Sequence, residues 1–290
     1  MATLKDVKRK IGAVKKTQQI TKAMNMVAAA KLRGAQTRLE NFRPYAAKFG
    51  EVIGSLSAHL NVEASPLLEQ REVKRTEVLL ITSDRGLCGS FNINLINAVG
   101  KWIRSKSSEG VGVSLVAVGR KGRDYYRKRD VNMRAGYVDI MGAFQMSNAI
   151  SIAQDLAANF INGGCDEVYV VSGKFISMAV QRPVVKKLLP ISPEELGGGG
   201  DVAAREYIYE PSPEQLITSL LPTHVNVQVY SAMLETAASE HAARMTAMDN
   251  AQRNCRDLIH ALTLAYNKAR QAAITKELMD IVGGAEALKK

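Results

Sequence analysis

The stretch ITSDRGLCGSFN, residues 81–92, is where this sequence comes closest to a chemical site. An apolar run ends at Ser83, Gly86 and Gly89 follow, and a helical pattern begins near Ser90. A turn of that kind can aim helix N-terminal amides at a phosphate. The glycine spacing fits neither GxGxxG nor GxxxxGK[ST]. Cys88 could be offered as a nucleophile at a helix N-terminus, but no histidine is near it in sequence to act as base. The stretch therefore reads as a tight strand-to-helix turn that needs small residues. The histidines are His59, His224, His241 and His260, with no HExxH and no His–Cys cluster, so no metal site is expected. Glu194 and Glu195 lie in a Pro/Gly-rich loop and read as solvated. Cys88, Cys165 and Cys255 are odd in number and widely spaced, which gives no disulfide framework and suits a reducing compartment. The sequence thus assigns no catalytic, cofactor-binding or metal-ligating residue.

The elements around this turn follow three patterns. Near the N-terminus, apolar or small residues recur in steps of three and four: Leu4, Val7, Ile11, Val14, then Ala28, Leu32, Ala35, Leu39, Phe42, Ala46, Phe49, Ile53, Leu56 and Leu60. That is a heptad seam, the mark of a coiled coil. Between Val14 and Ala28 the same phase carries Gln18, Thr21 and Asn25, so the seam turns polar in its middle. Ala23 and Ala28–Ala30 lie there beside Met24 and Met26; small residues permit close helix approach and Met gives an adaptable contact. Pro44 falls inside the pattern and predicts a kink rather than an end. Residues 61–75 read as a loop.

The middle of the chain changes period. Apolar runs at 76–83, 113–119, 167–172 and 184–192 alternate with helical stretches at 91–106, 121–129 and 147–161. This alternation predicts a largely parallel sheet with helices on its faces. GGGG at 197–200 is a break. From Pro211 onward a second long helix is expected, with Pro222 at its start or at a kink. Its seam is Met245, Met248, Cys255, Ile259, Leu262, Tyr266, Ala269 and Ala273, shifting phase to Ile274, Leu278, Ile281, Ala285 and Leu288. The predicted fold class is α/β: a long antiparallel coiled coil of the N- and C-terminal helices plus a central Rossmann-like, mostly parallel sheet. The expected domains are 1–60, 76–192 and 211–290, the first and last paired. The C-terminal helix is the longer and is expected to overhang its partner.

The net charge is +11, and residues 1–48 hold 12 Lys/Arg against Asp6 and Glu40. Residues 211–290 balance, and residues 49–210 contribute +1. A basic segment of this kind seeks an acidic surface. Nucleic acid is a poor fit, because the basic residues interleave with a heptad seam and no DNA-binding motif is present. The seam is too narrow, and lacks the Trp, for a membrane-surface helix. No run of about 18 apolar residues is present to span a bilayer, and the start lacks the apolar core of a secretory signal.

Three stretches carry a resemblance: ITKAMNMVAAAKL near the N-terminus, SDRGLCGSFN after the first strand, and YNKARQAAITKELMDIVGGAEAL near the C-terminus. Together they resemble the gamma subunits of bacterial F-type ATP synthases across nearly the whole chain. Residues 76–192 set it apart from the central-stalk subunit of vacuolar-type ATPases, which lacks a middle sheet. The resemblance implies a non-catalytic rotor shaft with no cofactor, working inside a hexamer of alpha and beta subunits. It implies a foot joined to the epsilon subunit and the membrane c-ring, on the cytoplasmic face of the inner membrane. It implies that Met24 is a position where a basic replacement impairs coupling. Arg270, Gln271, Thr275 and Glu277 match positions that meet a catch loop of beta. Tyr207, Tyr209 and Glu210 match the foot near epsilon and the ring, and the apolar tip Ile274–Leu288 fits a sleeve at the crown of the hexamer. Thiol regulation of the chloroplast kind is not expected, since Cys165 stands without a second cysteine nearby. A dinucleotide-binding enzyme with helical arms is the alternative from another class, and a nucleic-acid binder is a third.

Overall fold

The computed structural model describes residues 3–56, 65–192, 209–210 and 212–287. Tyr207, His59, Glu194, Glu195, Gly197–Gly200, Leu60 and Leu288 lie outside the described residues. Helix α1 spans Leu4–Leu56 and the last helix, α5, spans Pro213–Ala287. Between them come a short 3-10 turn (Pro66–Leu68), β1 (Arg75–Ile81), α2 (Phe91–Ser108), β2 (Gly112–Val118), α3 (Arg120–Tyr126), β3 (Asn132–Tyr137), α4 (Met146–Ile161), β4 (Glu167–Phe175) and β5 (Gln181–Leu189). The chain forms two compact units, Ala29–Arg244 and a second made of Met1–Ala28 with Met245–Lys290.

In the larger unit the sheet order is β3-β2-β1-β4-β5. β1, β2, β3 and β4 are parallel to one another, whereas β5 runs antiparallel to β4. The α/β class and mostly parallel sheet expected from the alternating periods are therefore present. Two features depart from that expectation. The segment from β4 to β5 is too short for a crossover helix, and a short link returns a strand antiparallel. β3 was not anticipated: it is an edge strand whose residues alternate between exposed and half-buried, and Arg134 and Gly136 interrupt any apolar run.

One core cluster joins α4, α1 and α5 to a sheet face through Leu39, Ile53, Ile152, Leu156, Val168, Val170, Val229 and Met233. The opposite face is covered by α2 and α3, through Phe91, Leu95, Val99 and Tyr126 packed on Val78, Leu80 and Leu115. Every α1 seam residue from Leu32 to Leu56 is buried or half-buried. Phe42 meets Tyr230 edge-on with ring centroids 4.9 Å apart, and Phe49 stacks on His224. Numbers rise along α1 as they fall along α5, so the two helices are antiparallel in this unit. α1 runs on through Pro44, and α5 runs through Pro222 from Pro213 instead of starting there. Both prolines face solvent, where a helix tolerates the lost backbone bond best.

Polar contacts tie α5 to the sheet. Gly173 N–H donates to Thr236 Oγ1 (3.1 Å), and Ser239 Oγ donates to the Gly173 carbonyl (3.0 Å). A Cβ at Gly173 would lie 2.7 Å from the Phe91 ring, so glycine is needed for this close approach. Gly119 has φ +91, and a Cβ there would fall 2.2 Å from the Thr82 carbonyl oxygen.

Beneath α4, buried Glu77 accepts from Arg134 Nε (2.6 Å) and Asn159 Nδ2 (3.1 Å). Arg134 also makes a two-pronged pair with Asp155, at 2.9 and 2.7 Å. The Arg134 hydrogen bond holds the Asp155 carboxyl below its ordinary range, and Asp155 and Glu77 raise Arg134. The network links edge strand β3 to β1 and α4.

Two histidines on α5 give the unit a pH dependence. Burial, followed by nearby Lys186, pushes His224 down to about 4, and its Nδ1 has no hydrogen-bond partner. Burial, then Arg244 and Lys31, does the same to His241. The unfolded chain takes these protons near pH 6.5, whereas the folded chain resists them until about pH 4. Stability is therefore lost as pH falls from 6.5 through 4. Thermal midpoints should drop across that window and drop less in His224→Gln/His241→Gln. Glu235 and Glu240, which burial shifts upward, are common to both proteins and cancel in the comparison. Parallel curves for the two proteins would refute the assignment.

Candidate functional site

The turn after β1 is built as a structural corner. Gly89 (φ 58) and Leu87 (φ 64) both adopt left-handed backbone, which glycine favours and leucine does not. Asn92 accepts from Ser83 N–H (3.1 Å) and donates to Ser83 Oγ (2.8 Å), while Ser83 Oγ donates to the Arg85 carbonyl (2.6 Å). Asp84 accepts the backbone N–H groups of Arg120 (3.0 Å), Asp139 (2.9 Å) and Met141 (3.1 Å), which fixes the loop to the strand ends beside it. Arg244 on α5 donates to the Arg85 and Gly86 carbonyls at 3.3 and 3.2 Å and pairs with Glu240 at 2.7 Å. Arg244 is thus engaged by carbonyls and a carboxylate, and the exposed Lys121 side chain lies beside Gly86. Cys88 is buried, and burial pushes its thiol up, which opposes a nucleophilic thiolate. The geometry suits a corner bolted to α5. Sequence reasoning missed Asp84, Glu240 and Arg244 here, because their partners are backbone groups and side chains brought together only by the fold.

The smaller unit carries the other candidate residues. Among the seam positions Leu4 to Asn25, all are half-buried except Thr21, which is buried. Thr21 Oγ1 turns back to the carbonyls of Thr17 and Gln18 in its own helix. Asn25 Nδ2 instead crosses to the Met245 carbonyl of α5 at 2.9 Å. The polar window therefore includes a directional bond between helices, and such a bond fixes register in a way apolar contacts do not. Met24 is half-buried beside it. Ile20, Met26 and Val27 point outward, at 57–60% exposure. Lys5, Lys8, Arg9, Lys10, Lys15, Lys16 and Lys22 are all exposed, with Arg9 paired to Asp6.

On α5 the seam positions Met245, Met248, Cys255, Ile259, Leu262, Tyr266 and Ala273 are buried or half-buried, and Ala269 is exposed. Beyond Ala273 every residue through Ala285 is exposed, including Ile274, Leu278, Met279, Ile281 and Val282 at 49–72%. Arg270, Gln271, Thr275 and Glu277 are exposed on this stretch. Isolated apolar side chains are ordinary at a surface, whereas this stretch carries five of them along one helix end. In the larger unit, Tyr209 donates its hydroxyl to Ser55 Oγ (3.1 Å), next to the end of α1, and Glu210 is exposed. The structure thus places Met24, Arg270, Gln271, Thr275 and Glu277 in one compact unit and Tyr209 and Glu210 in the other. Among the described residues no group of three metal-ligating side chains occurs, and no helix is long and apolar enough to cross a membrane.

A five-stranded, mostly parallel α/β sheet packed against an antiparallel helix pair defines the fold class of the larger unit. Two solved structures share this fold. The central stalk of the Tetrahymena thermophila mitochondrial ATP synthase, solved with its c-ring, is 30% identical with a TM-score of 0.62, covering 80% of this chain and 99% of that one. A chain of the Euglena gracilis mitochondrial ATP synthase matches in fold alone, at 20% identity and a TM-score of 0.67, over 98% and 94% of the two chains. Residues 3–288 match the family model described as ATP synthase. The ATP synthase gamma chains of Desulfotalea psychrophila and Syntrophobacter fumaroxidans are 54% and 52% identical to this chain over the full length of both proteins. The chain belongs to the ATP synthase gamma chain family.

Proposed function

We propose that this chain is the rotor shaft of a proton-translocating F-type ATP synthase and carries none of the complex's catalytic sites. The observation that carries this reading is the exposed end of α5, where Ile274, Leu278, Met279, Ile281 and Val282 are bare beyond a seam that is half-buried at Tyr266 and Ala273. In this reading the paired helices stand inside a hexamer of alternating alpha and beta subunits. Arg270, Gln271, Thr275 and Glu277 meet a beta loop, and the tip runs in an apolar sleeve. Met24 sits where the shaft passes acidic loops of beta, and the exposed lysines of α1 supply matching charge.

The sheet domain, about 76–192, is the foot. Tyr207, Tyr209 and Glu210 face the epsilon subunit and the c-ring, at the cytoplasmic face of a bacterial inner membrane. Rotation presents a different side of an asymmetric shaft to each beta subunit in turn. Each catalytic site then favours the conformation that the facing side of the shaft binds best, which is coupling by differential contact. The register bond from Asn25 to Met245 keeps the two helices from sliding, so a torque at the foot reaches the tip as rotation.

The test is reconstitution. The chain mixed with alpha and beta subunits should give a complex holding one copy of it per three of each, with ATPase activity that alpha and beta lack without it. Assembly and activity unchanged by its omission would end the shaft reading, and nucleotide turnover by the isolated chain would end the non-catalytic one.

A further inference from the structure

The near-neutral middle of the chain conceals a second concentration of positive charge. Residues 101–131 hold nine Lys/Arg against Glu109, Asp124 and Asp130, a net +6 inside a segment whose total is +1. They span the second half of α2, β2, α3 and the link to β3, and both helices lie on the sheet face opposite α1 and α4. Three of the nine are paired: Lys106 with Glu109, Arg120 with Asp139 and Arg123 with Asp124. Lys101, Arg104, Arg127, Lys128 and Arg129 are exposed and make no carboxylate pair among the described residues.

Arg104, Arg127, Lys128 and Arg129 lie at one edge, with Asp130 in the same link. α2 ends where β2 begins, with Val111 N–H donating to the Lys106 carbonyl, and residues 127–131 link α3 to the start of β3. Arg104 and Arg129 both act electrostatically on the Tyr126 hydroxyl, so the two helix ends bring their cations together. Arg129 lies over the Tyr125 ring at 3.3 Å, which holds it at the surface. This edge, the N-terminal edge of the parallel strands, is also the end toward which α5 begins. Ser239 contacts Gly173 near the far end of β4, whereas Gln228 contacts Lys186 closer to its start. α1, antiparallel to α5, ends on the same side.

We propose that this edge is a docking surface for the anionic phospholipid headgroups of the membrane. The inference rests on the foot assignment above, which turns this end of the unit toward the bilayer. Two observations favour lipid over a protein partner. The cations are long, exposed and without a carboxylate partner among the described residues, which suits a diffuse anionic surface. No large apolar side chain in 101–131 is exposed, so the buried anchor that a tight protein interface uses is missing. A fluid lipid surface also attracts the foot without resisting its rotation.

The experiment uses the reconstituted complex with alpha, beta and epsilon, floated with vesicles of phosphatidylcholine alone or with phosphatidylglycerol added. The complex should bind only the anionic vesicles and release as salt is raised. Arg104→Gln/Arg127→Gln/Lys128→Gln/Arg129→Gln should weaken that binding by about a hundredfold or more, several-fold for each charge removed. ATPase activity and circular dichroism should be unchanged. Lys5→Gln/Lys8→Gln/Lys10→Gln is the control and should leave vesicle binding intact, since the hexamer encloses that helix. Equal binding to both vesicle types, or undiminished binding by the fourfold variant, would overturn the proposal. Equal retention on DNA at matched charge would also overturn it, as a polyanion effect without lipid preference. Assembly is scored separately by subunit stoichiometry, so failure of the shaft reading is distinguishable, and the same four substitutions are then read in the full chain alone.

Discussion

Arg134→Ala is expected to destabilise the sheet-bearing unit by about 3–5 kcal/mol, the scale of removing one partner from a buried ion pair. Glu77 is fully buried and would keep only Asn159 Nδ2 and a weak contact from Ser114 Oγ at 3.4 Å. Asp155 would lose both prongs of its pair, but it reaches solvent and adds little. The measurement is the urea midpoint of the purified chain, followed by a probe of the sheet unit. Adding Glu77→Gln should recover part of the loss, because a neutral amide costs less to bury than an unpaired carboxylate while still accepting from Asn159. A midpoint unchanged by Arg134→Ala, or no recovery in the double variant, would show that this network does not hold β3 to the sheet.

Met24→Lys is expected to separate two activities that an intact shaft keeps together. Met24 is half-buried beside Asn25, whose side chain bonds to the Met245 carbonyl. A lysine there puts a new cation where, in the proposed complex, an acidic loop of beta passes once per turn. An added ion pair of about 1–3 kcal/mol would hold the rotor at preferred angles. ATP hydrolysis by the reconstituted complex should remain largely intact, while proton pumping into vesicles falls several-fold. Met24→Leu, similar in volume and uncharged, should retain both. Equal loss of hydrolysis and pumping in Met24→Lys would mean the substitution simply damages the helix pair.

The long helices were legible because a heptad seam is a local, repeated signal. Each α1 seam position from Leu4 to Leu56 is buried or half-buried, the polar Gln18, Thr21 and Asn25 included. What the seam could not convey was direction within its polar window: Thr21 bonds back into its own helix and Asn25 across to the other, and side-chain type alone does not distinguish the two. The buried strands β1, β2 and β4 were legible as short apolar runs. β3 was not, since an edge strand carrying Arg134 and Gly136 looks like a loop until Glu77 is seen opposite. β5 was visible as a strand, and the brevity of its link to β4 held the information on its direction. The turn at Ser83–Asn92 reads as structural from its glycine spacing, but Arg244, which fastens it to α5, lies 158 residues from Gly86. The second basic cluster was hidden by averaging: a segment total of +1 masks +6 in residues 101–131.

The central claim is that this chain turns as a shaft. The measurement that reaches it most directly fixes the alpha–beta hexamer to a surface and attaches a bead to a cysteine placed at exposed Lys128, on the sheet-bearing unit. With ATP supplied, the bead should rotate in one direction, with three dwells per turn, one for each beta subunit. A bead that stays fixed, or only fluctuates, while the same complexes hydrolyse ATP would contradict the account.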